Sequence, residues 1–196
     1  MRHRHPSIGP RGLWIFGYGS LMWEPGFAFV RAERALVSGW HRRMSMIASK
    51  SYGWPSRPGL AAGLHPGGTV EGVAFLIRQD TAPAILEVLS RREWAYRACM
   101  VNARLASGAR IKALTYVAHP SSGRFRPRHP GADFTRRLNH GTGRKGHAAD
   151  YVRRSAAALT AHGVRHSDLH ALIPRIDPLR APPPLARRQL IPDKAP

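Results

Sequence analysis

Cysteine occurs once in 196 residues, at Cys99. An internal disulfide and a multi-cysteine metal site are thereby excluded, and a reducing compartment fits best. Long apolar runs are missing too. No stretch nears the ~18 uninterrupted apolar residues of a membrane span. The basic start MRHRHPSIGP, followed by apolar residues, resembles a signal peptide only superficially, because Gly17, Tyr18, Gly19 and Ser20 cut the run and no small-residue cleavage site follows. The expectation is a cytoplasmic protein with no membrane partner. Carboxylates are the third scarcity: 11 Asp and Glu stand against 31 Lys and Arg, a formal charge of +20. Each acid can therefore be weighed separately.

A basic excess of this size raises nucleic acid and acidic small molecules as partners. Its distribution argues against nucleic acid as the main one. The arginines come in scattered pairs (Arg42 and Arg43, Arg91 and Arg92, Arg136 and Arg137, Arg153 and Arg154, Arg187 and Arg188) rather than in one polybasic block.

The length suits one domain with its own core. Residues 13–16 read as an opening strand and residues 27–40 as another, with 41–48 able to continue it; 49–59, rich in Gly, Pro and Ser, read as loop. Residues 60–77 read as a hairpin turning at 65–68 (HPGG). Asp80 or Thr81 can cap a helix ending near Arg92, with Ile85, Val88 and Leu89 on one face. A second hairpin follows over 99–118, with Cys99 in a strand as a core residue. Helices are expected over 132–139, 147–162 and 167–173, the second with Tyr151, Ala158 and Leu159 sharing a face. Strands first and helices last argue for an α+β fold. Residues 1–12 are expected to be a disordered extension and 175–196 a proline-rich disordered tail around a domain at 13–174.

Glu24, Glu33, Glu71 and Glu87 read as surface charges. Glu93 differs, because RREWAYR puts it at a helix-to-strand junction among arginines and aromatic rings. It is either an ion-paired helix end or a base, and burial and arginine charge push its pKa in opposite directions. His166 and His170 have helical spacing but lack the glutamate of HExxH, so no metal site is expected. GYGSLM matches neither the nucleophile elbow nor a phosphate loop. Its two glycines after a strand do suit a backbone nest for a small carboxylate or carbonyl oxygen, with a serine hydroxyl beside it.

WIFGYGSLMWEPGF, SGWHRR, RPGLAAGLHPGG, EGVAFLI, RREWAYR, IKALTYV and GTGRKGHAADYV, in this order and spacing, resemble the ChaC family of glutathione-specific γ-glutamylcyclotransferases. The resemblance runs from about Leu13 to Ile173. It implies a small mixed β-barrel flanked by helices, no cofactor, and glutathione as the small-molecule substrate, cleaved to 5-oxoproline and Cys-Gly. It further implies that Ile15, Phe16, Gly17, Tyr18, Gly19, Ser20 and Leu21 form the loop that holds the γ-glutamyl group through backbone amides. Glu93 is implied as catalytic base, and Tyr116 and Tyr151 as lining residues. Departures lie elsewhere: Ser51, Tyr52 and Gly53 stand where the family often has HRG, Ala48 where some members are acidic, and GRKG where GxSG is commoner. The linker from Glu93 to Tyr96 is also shorter than in many members. The γ-glutamyl end is kept, and the leaving amine is left open. The competing readings are a cyclotransferase for another γ-glutamyl amine, and a non-catalytic basic nucleic-acid-binding or regulatory protein on the same fold.

Overall fold

The structure is a computed structural model that describes residues 12–176. The two end segments expected to be disordered lie almost wholly outside the described residues; Ile176, at the last described position, is buried in the core.

Five strands close into a barrel: β1 (Leu13–Gly17), β2 (Arg31–Ala48), β3 (Gly59–Ile77), β4 (Tyr96–Leu105) and β5 (Arg110–Ala118), in the spatial order β1-β3-β2-β4-β5. All pairings are antiparallel except β5 on β1, which is parallel and completes the ring. The long β2–β3 pair extends beyond the ring, where β3 residues 59–72 have β2 as their one strand partner among the described residues. The ring is the small mixed barrel that the sequence implied. Ile15, Phe16, Val37, Leu60, Leu64, Val73 and Ile77 are fully buried in the core that the barrel and its helices share.

Three helices flank the barrel, α1 (Ala82–Arg92), α2 (Gly131–His140) and α3 (Ala148–Ala161), and a short ladder of β6 (Thr142–Gly143) on β7 (Gly146–His147) joins the last two. The helices expected up to Arg92, over 132–139 and over 147–162 are present, with one adjustment on α1, while the one expected over 167–173 is a short 3-10 helix at His170–Arg175. The buried face of α1 is Ala82, Ile85, Leu86 and Leu89, while Val88 is 47% exposed. Tyr151, Ala158 and Leu159 share the buried face of α3 as expected.

The expected hairpin at 65–68 is not there. β3 runs straight through, paired with β2 along its whole length, and the HPGG segment is a bulge. Trp40 pairs with Pro66 and Ser38 with Thr69, so Gly39 alone faces both Gly67 and Gly68. All three glycines have positive φ, a region open to residues without Cβ. The hairpin is made instead by β2 and β3 around the loop at 49–58, which places Tyr52 beside β6 and α3.

Candidate functional site

β1 ends at Gly17, and a 3-10 turn at Ser20–Met22 folds the chain back across the barrel mouth. The turn closes on itself through the amides of Met22 to Gly19 O (3.0 Å), Trp23 to Ser20 O (3.2 Å) and Glu24 to Ser20 O (2.8 Å). None of these bonds uses the amides of Tyr18, Gly19 or Ser20. The glycines are there for close approach, since neither has positive φ. A Cβ on Gly19 would stand 2.4 Å from the Tyr151 hydroxyl, and one on Gly17 would stand 2.9 Å from Leu21 Cβ.

Ile15, Phe16 and Leu21 are buried, so any contact they make with a ligand is through the backbone. The Phe16 carbonyl is held by Thr115 Oγ1 at 2.9 Å. Tyr18 points inward, and its hydroxyl donates to the Tyr116 carbonyl at 2.6 Å. The Tyr151 hydroxyl accepts from the Ala62 amide at 3.2 Å and from the Ser20 amide. Tyr96 donates to the carbonyl of the same Ala62 at 2.9 Å. Two phenols thus bond the N–H and the C=O of one residue of β3.

Glu93 caps the C-terminal end of α1 and opens into β4, its own amide bonded to Leu89 O and its carbonyl to the Tyr96 amide. Its side chain is 14% exposed, with Arg92 Nε 3.1 Å from Oε1. Burial pushes the Glu93 carboxyl above its ordinary range, against the opposing charges of Arg92 and Lys145. Burial likewise pushes up the phenols of Tyr18, Tyr96, Tyr116 and Tyr151, and the Glu93 charge adds to the rise in all four. Tyr151 is raised to about 12. Glu93 is joined to the turn through Arg92, which contacts both its carboxylate and Ser20 Oγ. Turn, glutamate, Tyr116 and Tyr151, far apart in sequence, are thus linked in the fold.

Two functional arginines were not singled out as site residues from the sequence. Arg92 holds the turn: its Nη1 donates to the carbonyls of Glu24 (2.7 Å) and Pro25 (2.9 Å), and Nη2 to Ser20 Oγ (3.1 Å). Arg42, buried inside β2, donates to the Tyr18 carbonyl (2.7 Å), to Asp168 (2.6 Å) and to the Glu71 carbonyl. The signal for Arg42 was its phase, two residues from Trp40 and from Met44 on the inward side of a strand. Glu33 is not a simple surface charge either, and Glu24 is a surface charge with a partner. Glu24 pairs with Lys145 at 2.6 Å, and Glu33 accepts from the Ser107 amide and pairs with Arg31.

A wall of three rings closes the site on the α3 side. Trp23, Tyr52 and Tyr151 meet edge to face, with centroids 5.4 to 6.5 Å apart. Among the described residues no group of three or more His, Cys, Asp or Glu side chains is gathered for a metal ion, and no helix is long and apolar enough to cross a membrane.

The family model described as ChaC-like protein matches residues 13–177. The chain belongs to that family. Glutathione-specific gamma-glutamylcyclotransferase of Escherichia coli is 32% identical over 118 residues, which cover 59% of this ChaC-like chain and only half of the bacterial protein's length. Glutathione-specific gamma-glutamylcyclotransferase 1 of Homo sapiens is 30% identical over 169 residues, 82% of this chain and 76% of the human one. Among solved structures, a yeast gamma-glutamyl cyclotransferase specific to glutathione superposes with a TM-score of 0.75 at 19% identity, covering 83% of this chain and 94% of that one. At that identity the likeness establishes the fold, which is the ChaC-like barrel with its helices.

Proposed function

We propose that this protein cleaves glutathione by cyclising its γ-glutamyl group, releasing 5-oxoproline and Cys-Gly, with Glu93 as general base and then acid. The observation that carries the reading is the buried Glu93 carboxyl, raised in pKa by that burial and joined to the glycine turn by Arg92, which contacts both its carboxylate and Ser20 Oγ. The ChaC-like relatives named for this activity support it.

The reaction is intramolecular, so the work of the site is largely orientation. The amides of the turn hold the γ-glutamyl end, and the close packing of Gly19 on Tyr151 fixes where those amides point. Glu93 takes a proton from the substrate α-amino group, and burial has made it a stronger base than an exposed carboxylate. The freed nitrogen attacks the γ-carbonyl carbon and a five-membered ring forms. Charge developing on the carbonyl oxygen meets the N–H groups of the turn. The bond to the cysteinyl nitrogen then breaks, and Glu93 returns the proton to that nitrogen. Tyr116 and Tyr151 line the site and exclude water; Ser20, tied to Arg92, is a binding residue and not a nucleophile.

The basic excess favours this anionic substrate over nucleic acid. The arginine pairs are split among internal tasks: Arg42 and Arg92 hold backbone carbonyls, Arg136 and Arg137 share Asp133, and Arg153 pairs with Asp150. Glutathione is itself a thiol that keeps the cytosol reducing, in keeping with a cytoplasmic protein with one half-buried cysteine.

The test is to incubate purified protein with glutathione and assay 5-oxoproline, alongside Glu93→Gln. The expected result is product from the native chain and a loss of at least ~100-fold in the variant. Equal product from both would remove Glu93 from its role, and none from the native chain with any γ-glutamyl compound would overturn the reading.

A further inference from the structure

Two buried polar atoms at the aromatic wall have no hydrogen-bond partner, the Tyr52 hydroxyl and Arg154 Nε. Tyr52 is 3% exposed, with its ring against Tyr151 (5.4 Å) and Trp23 (6.1 Å). The Arg154 guanidinium lies over the same Trp23 ring, 5.0 Å from its centroid. Both atoms therefore belong to one cluster, built on the tryptophan that ends the glycine turn and the tyrosine that packs on Gly19. A buried hydroxyl without a partner is a standing cost that a phenylalanine of the same shape would not carry.

The loop carrying Tyr52 cannot swing it away. The Lys145 amide donates to Ser51 O at 2.7 Å and the Arg144 amide to Lys50 O at 3.0 Å. A Cβ on Gly59 would come within 2.0 Å of the Tyr52 carbonyl oxygen, and one on Gly143 within 2.5 Å of the Ser51 carbonyl oxygen. The hydroxyl is thus pinned in place, the condition a specificity contact requires.

The chemistry of the two atoms limits what they can take. Arg154 Nε is a donor only, and the phenol, pushed well above its ordinary range first by burial and then by the Glu24 charge, stays protonated and able to donate. Two donors, one of them a cation, call for an anionic acceptor. The Glu24 carboxylate, the side-chain charge that acts most on the phenol, is held by Lys145 in a surface pair with both members at least a third exposed. Such a pair opens at little cost, and a substrate carboxylate exchanging with Glu24 would enter here.

We propose that the Tyr52 hydroxyl and the Arg154 guanidinium form the subsite for the carboxylate of the leaving peptide, which makes Tyr52 a specificity-determining residue for what is cut from the γ-glutamyl group. The inference rests on the function proposed above for the γ-glutamyl end. It assigns a task to the position where this chain departs from its family's common HRG.

The experiment compares glutathione with its C-terminal carboxamide, which keeps the γ-glutamyl group and loses only the terminal charge. The native protein should have the lower KM for glutathione. Tyr52→Phe, which keeps the ring, should raise the KM for glutathione about tenfold, the usual effect of losing a hydrogen bond to a charged group. It should leave kcat within about twofold and the carboxamide KM unchanged. Arg154→Lys, keeping the charge without Nε, should shift KM in the same direction. An equal rise for both substrates, or an unchanged glutathione KM, overturns the subsite. If the native protein forms no 5-oxoproline from either compound, the proposed function fails separately, and calorimetric titration decides the subsite. Tighter binding of glutathione than of the carboxamide, lost in Tyr52→Phe, supports it; equal binding or none overturns it.

Discussion

Arg92 stands with Nε 3.1 Å from the Glu93 carboxylate, while the far side of the same guanidinium holds Ser20 Oγ and the carbonyls of Glu24 and Pro25. The ion pair at the helix end and the candidate base are therefore one contact, and the arginine that makes it also sets the turn. A single planar fork with donors in fixed directions does both, which a lysine cannot. Two opposing influences act on Glu93, burial raising its pKa and Arg92 lowering it, and burial prevails.

The first prediction is the pH profile. A base with a raised pKa must lose its proton before it works, so the acid limb of kcat/KM should lie above the ordinary carboxylate value of about 4.3. Arg92→Met removes the charge that opposes burial and should move that limb to still higher pH. The check is kcat/KM for glutathione across pH 4–9 in both proteins. A limb at the same pH in the two would mean that Arg92 does not act on the titrating group.

The same shift has a consequence for stability. A carboxyl whose pKa is raised by folding contributes stability below its unfolded pKa, and that contribution is lost as pH rises through the folded pKa. Native Glu93 is thus a growing burden from the ordinary carboxylate range upward. Glu93→Gln, which never ionises, should gain in Tm relative to the native chain between about pH 4 and pH 7.5. Thermal unfolding at both ends of that range measures the change in the difference. A constant or shrinking difference would contradict the direction of the shift.

Gly19 carries a more local prediction. Its missing Cβ is what lets the Tyr151 hydroxyl approach, and an alanine there would put carbon 2.4 Å from that oxygen. Gly19→Ala should cost about 1–3 kcal/mol, the range for an overpacked interior, and should raise KM by turning the amides of the turn. Tyr151→Phe removes the oxygen in the way, together with its bonds from Ala62 and Ser20. The double variant should be less damaged than the sum of the single ones, a coupling that urea unfolding of all four proteins reads directly. Simple additivity would show that the turn has room the distance denies.

Much of this arrangement was legible before any coordinates. Seven motifs name the turn, Glu93, Tyr116 and Tyr151 together, and the turn touches Tyr116 and Tyr151 directly and Glu93 through Arg92. What was misread is the HPGG segment, because a glycine pair after proline signals a turn and a bulge equally well. Only the partner strand distinguishes the two, and β2 pairs on both sides of the segment. The place of Val88 differs for a smaller reason: Val88 stands three residues after Ile85 and Leu86 three before Leu89, so either can flank that pair, and the barrel selects Leu86. The net direction of the Glu93 shift depended on how deeply the folded chain would bury it. Local sequence holds no measure of that depth.

Arg42 supplies the last prediction, since it was visible only as an arginine on the inward phase of a strand. Its side chain is 1% exposed and ties the Tyr18 carbonyl of the turn to the Glu71 carbonyl of β3 and to Asp168 near the end of the described chain. Arg42→Met would leave two buried carbonyls unpaired, a cost of about 2–4 kcal/mol at roughly 1–2 each. Asp168→Ala would strand the buried guanidinium without its counter-charge, and the cost should approach about 3 kcal/mol, reduced because Asp168 is half exposed. Asp168→Asn keeps an acceptor in place and should cost less than Asp168→Ala. Denaturant unfolding gives this ranking, and steady-state kinetics adds the functional half. Because Arg42 Nε holds the Tyr18 carbonyl, Arg42→Lys should raise KM for glutathione more than it lowers kcat, whereas an effect on kcat alone would place Arg42 with the chemistry and not with the positioning of the turn.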